Sequence, residues 1–179
     1  MNTKYFVLFM FTAVIFLGGI TRSASAGTSD APELPPACST LGAGLDQAPI
    51  FHVYASGVQV YRWNGMSWDF VAPDANLFAE ENYYGQVGRH SAGPTWESNS
   101  GSKVVARKVD ECTPDTSAIP WLKLEKVSST GPGIFGKIGY ILRVNTTGGL
   151  KPTTAGSTVG DVQRVPYAAE YYFYKGGVE

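Results

Sequence analysis

The chain has 179 residues, of which 16% are charged and 13% are aromatic, and its formal net charge is −1 at pH 7. This balance excludes a basic nucleic-acid surface and a polybasic membrane patch, so nucleic acid is not an expected partner. The 21 glycines and 11 prolines favour a loop-rich β protein over a helical one.

Residues 1–26 have the pattern of a secretory signal peptide. Lys4 precedes an uncharged apolar stretch, residues 5–20, and Ala24 and Ala26 then form a small-x-small cleavage site. The apolar stretch is shorter than the roughly 20 residues that cross a bilayer, which disfavours a membrane anchor. We therefore predict a secreted protein, extracellular or periplasmic, with no membrane span once residues 1–26 are removed.

After the cleavage site, residues 27–47 are rich in Gly, Ser, Pro and Ala, and we predict an irregular leader. The rest of the chain, residues 48–179, is predicted to form a single β domain. The two cysteines of the chain are Cys38 and Cys112, and an even number in an exported protein favours a disulfide. Two buried free thiols are the alternative, and only the bridge would tie the leader to the domain.

The first clear strand pattern is "GVQVYRW", residues 57–63, in which side chains alternate with period two. Val58 and Val60 lie on one face of this predicted strand. The other face carries polar and aromatic side chains, namely Gln59, Tyr61 and Trp63. "NG" at residues 64–65 follows, and since Asn and Gly tolerate positive φ, it predicts a hairpin turn with "MSWDFVA" as the return strand.

The next segments also indicate short strands. The stretch from "LFAE" to "QVGRH", residues 77–90, is predicted as strand, turn and strand, while a short helix capped by Asp74 is an open alternative. "SKVVARKV", residues 102–109, carries charges on both faces and is predicted as an edge strand. "WLKLEKV", residues 121–127, follows Pro120 as a further strand.

The segment "KIGYILRV", residues 137–144, alternates as a strand with two different faces. The face predicted to meet the core carries Ile138, Tyr140, Leu142 and Val144. Arg143 then points the opposite way, beside Gly139, which leaves room for its side chain.

The final strand pattern, "YAAEYYFY", covers residues 167–174 and is mostly aromatic. Glu170 shares a face with Tyr172 and Tyr174, and because an unpaired carboxylate there would be costly, we expect an Arg or a protonated His as its partner. Before this strand, residues 146–161 form a predicted long surface loop. With about eight to ten short strands and no helical period, the chain is predicted to be all-β, a single-domain antiparallel β-sandwich or barrel-like fold with long loops.

Several enzyme motifs are absent or out of context. "GPGIFG", residues 131–136, has the glycine spacing of a dinucleotide-binding loop, but strand-like residues follow it where that motif needs a helix. Two histidines are few for a zinc site, and no G-x-S-x-G motif occurs. We therefore predict no metal and no cofactor, and leave open a carboxylate pair for glycoside cleavage, with Glu97 and Glu170 as its members.

The most distinctive segment is "GRHSAGPTWE", residues 88–97. It combines the imidazole of His90, a rigid corner at Gly93 and Pro94, and the indole of Trp96. One interpretation is a structural corner in which the histidine caps backbone groups and the tryptophan packs in the core. The other is the rim of a binding site, where Trp96 stacks on a ligand and His90 exchanges a proton.

A series of short motifs runs through the predicted domain: "GVQVYRW", "APDANL", "GRHSAGPTW", "GSKV", "IPWLKL", "NTTGG" and "VPYAAEYYFY". This series resembles the uncharacterised exported proteins of domain-of-unknown-function family 3455, over about residues 50–175. The resemblance implies a secreted single domain and brings no established activity. His90, Trp96 and Tyr167 are among the residues that carry over by motif, and the family assigns none of them a role.

We predict that His90 and Trp96 border one pocket and that Arg143 or Glu170 contributes a charge to it. An Arg143–Glu170 pair that only fixes the sheet is the structural alternative. The full set of predicted ligand-binding residues is His90, Trp96, Arg143, Tyr167 and Glu170. The favoured function is binding of a small molecule or glycan. The alternatives are an acid–base enzyme, hydrolase-type or other, that uses His90 with a carboxylate, and a structural or surface-interaction protein.

Overall fold

The computed structural model describes residues 30–45 and 47–176, and the predicted signal peptide lies outside them. In this part of the chain, eight antiparallel strands form one closed barrel, in which each strand pairs with the next and the last pairs with the first. The strands are β1 (Phe51–Trp63), β2 (Trp68–Phe78), β3 (Gln86–Ser91), β4 (Thr95–Ser98), β5 (Lys103–Cys112), β6 (Trp121–Thr130), β7 (Ile138–Gly148) and β8 (Val162–Lys175). The predicted all-β antiparallel fold is confirmed, and it takes the barrel form.

The predicted hairpin at Asn64 and Gly65 is confirmed. Trp63 pairs with Trp68 across the turn, and Gly65 has a φ of 100°, a conformation that glycine adopts at little cost. The Asn64 Oδ1 accepts hydrogen bonds from the backbone N–H groups of the next residues in the turn, Met66 at 2.9 Å and Ser67 at 2.8 Å. The turn therefore holds β1 and β2 in register.

The alternative of a short helix from Asp74 is wrong, because this residue lies inside β2 and pairs with Val58 of β1. Its carboxylate accepts hydrogen bonds from Arg89 on β3 at 3.2 Å and from Arg164 on β8 at 2.6 Å. The pattern of strand, turn and strand is confirmed, since β2 ends at Phe78 and β3 begins after a short turn. Pairing with β1 outweighs the local preference for a helix.

β5 is not an edge strand, because it pairs with β4 as well as with β6. The pairing with β4 is short, however, since β4 has only 4 residues and covers residues 103–105 of β5. In the same way β3 pairs with only residues 75–78 of β2. The short β3–β4 hairpin therefore leaves an opening in the barrel wall between residues 68–74 of β2 and residues 106–112 of β5.

Hydrophobic side chains are buried on both faces of the sheet. The barrel interior holds one cluster, which includes Ile141 of β7 and Phe173 of β8. A second cluster lies outside the barrel, where Leu41 of a 3₁₀ helix (Pro36–Gly42) packs with Leu142 and Val144 of β7. The leader thus supplies the cover for one outer side of the barrel.

The core face predicted for β7 is partly wrong. Leu142 and Val144 lie in the outer cluster and Tyr140 packs against it, so that Arg143 on the opposite face points into the barrel. Ile138 nevertheless belongs to the interior, because the register shifts between Ile138 and Tyr140. When both faces of a strand are covered, alternation separates the faces without showing which one lies inside.

The predicted disulfide between Cys38 and Cys112 is present, with its Cα atoms 5.5 Å apart. It joins the leader to the end of β5. The leader is also held by packing and polar contacts, since Leu41 is fully buried and the Lys123 ammonium donates a hydrogen bond to the carbonyl oxygen of Ala43.

The glycine-rich segment 131–136 lies between β6 and β7, where a second 3₁₀ helix (Ile134–Lys137) leads into an antiparallel strand. This arrangement does not build the strand–helix–strand unit that a dinucleotide site requires. The predicted long loop is present over residues 149–161, because β7 continues to Gly148. Within residues 30–45 and 47–176, no helix is long and apolar enough to cross a membrane.

Candidate functional site

A cavity of about 470 Å³ lies at the opening that the β3–β4 hairpin leaves in the barrel wall. Its apolar walls come from β2, from β6 and from the tip of the hairpin: Phe70, Val71, Pro73, Gly93, Pro94, Leu122 and Leu124. Groups with polar atoms complete the lining: Gln59, His90, Trp96, Lys108, Arg143 and Tyr171. A cavity of this size, largely apolar with a few polar groups, has the character of a small-molecule site.

The β3–β4 hairpin brings His90 and Trp96 side by side, because the two residues pair directly across it. Their rings are stacked, with centroids 4.3 Å apart and an interplanar angle of 15°. Gly93 has a φ of 127° at the tip of the hairpin, and the Thr95 hydroxyl donates a hydrogen bond to the carbonyl oxygen of Ala92 at 2.7 Å. The segment is therefore both a tight corner and part of the cavity wall.

His90 is held as a neutral imidazole. It is 3% exposed, and its Nδ1 lies 2.9 Å from the carbonyl oxygen of Thr95, so that Nδ1 carries the proton and donates it to this bond. Burial lowers the pKa of His90 to about 3, the charge of Arg143 acts in the same direction, and the bond to Thr95 opposes both. In this tautomer Nε2 is an acceptor.

Arg143 brings a positive charge to the inner end of the cavity. Its guanidinium donates hydrogen bonds to the carbonyl oxygen of Pro120, from Nε at 3.2 Å and from Nη2 at 2.7 Å. Arg143 is half-buried, and no Asp or Glu of residues 30–45 and 47–176 forms an ion pair with it. The Tyr171 hydroxyl is a further polar neighbour of this guanidinium.

Two lining residues carry buried polar atoms that have no hydrogen-bond partner among the described residues, Gln59 Nε2 and Trp96 Nε1. A buried polar atom without a partner costs about 1–3 kcal/mol. Burial raises the pKa of Tyr171, while the charge of Arg143 and hydrogen bonding with Tyr167 and Arg143 oppose this shift. The Tyr171 hydroxyl therefore keeps its proton and belongs to a polar contact with Arg143.

Two of the predicted site residues do not line this cavity. Tyr167 lies in the interior cluster together with Tyr171, and its buried hydroxyl interacts with that of Tyr171. Glu170 lies on the outer face of β8 and therefore cannot pair with Arg143, which faces inwards. The structural alternative of an Arg143–Glu170 pair is accordingly wrong.

Glu170 belongs to a polar cluster on the outside of the barrel. Its carboxylate lies 3.4 Å from Nε2 of His52 and accepts hydrogen bonds from Asn145 Nδ2 at 2.9 Å and from the Tyr172 hydroxyl at 2.8 Å. The contact with His52 is the main cause that lowers the pKa of Glu170, the other two bonds add to it, and burial opposes them. The expected partner of the carboxylate is thus the histidine of β1.

The acid–base alternative finds no carboxylate near His90, since no Asp or Glu lines the cavity in the part of the chain that the structure describes. Glu97 is exposed and forms an ion pair with Lys103 at 3.1 Å. Within the same residues, no group of three or more His, Cys, Asp or Glu side chains could hold a metal ion. None of the described carboxylates therefore lies in this cavity beside His90.

Sequence reasoning missed most of the cavity wall. Gln59 could have been predicted, because it is the polar residue on the strand face opposite Val58 and Val60, where its neighbours are aromatic. Tyr171 could be placed on the same face as Phe173 by alternation. The remaining lining residues carried no signal, because the gap in the wall that exposes them arises from the lengths of other strands: Phe70, Val71, Pro73, Lys108, Leu122 and Leu124.

Comparison with known proteins gives a match to one family. Residues 45–175 match the family described as "Protein of unknown function (DUF3455)". No curated protein and no solved structure matches the chain.

Proposed function

The chain belongs to the DUF3455 family, whose description assigns no activity, and from the geometry of the cavity we propose that it is a binding protein for a small molecule. The ligand lies in the cavity between β2, β6 and the β3–β4 hairpin. His90 and Trp96 provide a flat aromatic wall, and Arg143 provides a charged group at the inner end.

The observation that carries this proposal is a largely apolar cavity of about 470 Å³ that is lined by a half-buried arginine. Arg143 forms no ion pair with an Asp or Glu of the described residues. A ligand acceptor that binds this guanidinium gains a charge-assisted hydrogen bond.

A compact, partly apolar molecule fits the cavity better than a glycan. Sugars present many hydroxyl groups that need polar partners, whereas this wall is mainly apolar. Phe70 and Val71 are 56% and 46% exposed at the opening, which suits the apolar part of a ligand rather than solvent.

We also propose that the protein acts outside the cytoplasm. The disulfide between Cys38 and Cys112 supports an oxidising compartment. The signal-peptide pattern of residues 1–26 supports the same location.

Screening a small-molecule library by thermal shift tests the proposed function. A ligand present at about a hundred times its Kd should raise the melting temperature by roughly 5–10 °C. Val71→Trp places an indole at the opening of the cavity and should abolish the shift. The matched control is Val127→Trp, because Val127 is also exposed, at 58%, and does not line the cavity.

Two outcomes contradict the proposal. A library of several thousand chemically diverse compounds that produces no shift in the wild-type protein removes the reason to assign a binding function. Shifts that Val71→Trp and Val127→Trp leave equally large place the ligand elsewhere on the molecule.

A further inference from the structure

Resting on the proposed function, we infer that the ligand is an amphipathic monocarboxylate. Its carboxylate binds the guanidinium of Arg143. Its apolar body lies between the β2 and β6 walls and against the stacked rings of His90 and Trp96.

The charge of the cavity calls for an anion. Arg143 and Lys108 line it, and no acidic residue does so in residues 30–45 and 47–176. Lys108 already has a partner in Glu111, with Nζ and Oε2 2.7 Å apart, so Arg143 is the cation that lacks a counter-charge there. A half-buried charge without a counter-charge is unfavourable, and an anionic ligand group removes that penalty.

The hydrogen-bonding groups call for an acceptor. Tyr171 lies directly opposite Arg143 in the β7–β8 ladder, and its hydroxyl interacts with the guanidinium, which itself only donates hydrogen bonds. An ionised carboxylate only accepts hydrogen bonds and can accept several at once, including two from one guanidinium. An amide lacks the negative charge that complements Arg143, and an amine would place a second positive charge beside it.

The rest of the cavity calls for an apolar body with one charge. Leu122 and Leu124 of β6 face Pro73 of β2 across the cavity. A second charged group on the ligand would meet these apolar side chains and lose its hydration without compensation. This arrangement selects monocarboxylates over dicarboxylates and over polar metabolites of similar size.

Calorimetric titration of the wild-type protein with matched ligand pairs tests the inference. The probes are octanoate, octanamide and octylamine, together with phenylacetate and phenylacetamide, at pH 7. At least one carboxylate should bind roughly 10- to 100-fold more tightly than its amide, because charge-assisted hydrogen bonds to Arg143 are lost in the amide. Octylamine should bind more weakly than either octanoate or octanamide.

Arg143→Met keeps the length of the side chain, removes its charge, and should bring the carboxylate and its amide to within about threefold of each other. Arg62→Met is the matched control, because Arg62 is exposed and does not line the cavity, and it should keep the wild-type preference. If Arg143→Met does not fold, Arg143→Gln removes the same charge, keeps a polar side chain, and should likewise bring the two affinities together.

The possible failures separate the inference from the proposed function. Amides that bind as tightly as their carboxylates to the wild-type protein overturn the inference, as does a carboxylate preference that survives Arg143→Met. Screened neutral compounds that bind while neither carboxylate does also overturn it, yet they support a binding function. If no compound of any class binds, the proposed function fails as well.

Discussion

The neutral state of His90 makes the stability of the protein depend on pH in a calculable way. Burial lowers the pKa of this imidazole from 6.5 to about 3. Between these values the unfolded chain binds a proton that the folded chain does not, so the free energy of unfolding falls as the pH falls. The loss approaches about 1.4 kcal/mol per pH unit and amounts to about 2 kcal/mol between pH 7 and pH 5.

Urea unfolding at pH 7, 6 and 5 measures this loss, and His90→Asn isolates its origin. An asparagine at this position does not titrate, and its amide can still donate to the carbonyl oxygen of Thr95. The variant should therefore lose most of the decrease between pH 7 and pH 5, whatever its stability at pH 7. Asp74 and Glu170, whose carboxyl pKa values are lowered, reduce stability in the same direction but mainly below pH 5.

The comparison with His52→Asn completes this test. His52 lies on the outer side of the barrel beside Glu170, so this variant should keep most of the decrease in stability. Equal pH dependence of the wild-type protein and His90→Asn would refute the reasoning, because it would mean that His90 is protonated as readily in the folded chain as in the unfolded one. A proton NMR titration in which the His90 ring signal shifts near pH 6.5 would refute it independently.

Two further predictions concern the scaffold. Reduction of the Cys38–Cys112 bridge, which spans 74 positions of the chain, should lower the stability by about 4 kcal/mol. Adding a reductant should lower the urea concentration at which half of the wild-type protein is unfolded. The same midpoint of the double variant Cys38→Ala/Cys112→Ala should stay constant. If the reductant leaves the wild-type midpoint unchanged, the bridge does not stabilise the protein. Gly57→Ala should destabilise the barrel by about 1–3 kcal/mol or more, because its Cβ would lie 2.3 Å from the Asp74 carbonyl oxygen. Gly136→Ala is the control, because its Cβ would have no neighbour within 4 Å, and its free energy of unfolding should stay within about 0.5 kcal/mol of the wild-type value. If the Gly57 and Gly136 variants are equally stable, β1 and β2 do not approach as closely as the structure indicates.

Part of the candidate site followed from local sequence. Alternation placed Arg143 on the opposite face of β7 from Leu142, and the tight corner after His90 brought Trp96 beside it. The sequence predicted that an Arg or a His would pair with Glu170. It did not show which one, because the partner, His52, lies more than a hundred positions earlier in the chain. A contact at that separation depends on β1 and β8 closing the barrel, which no local pattern encodes.

Most of the strands and the turn at Asn64 and Gly65 were predictable from local patterns, and the count of two cysteines favoured their pairing. β4 was not predicted as a strand, because it has only 4 residues and follows a tight corner. Which face of each strand lies inside depends on the tertiary structure. Both faces of β7 and β8 are covered, one by the barrel interior and one by the leader, and a period of two is the same whichever face is inner. The cavity also belongs to the tertiary structure, because it exists where the short β3–β4 hairpin fails to span the wall between β2 and β5.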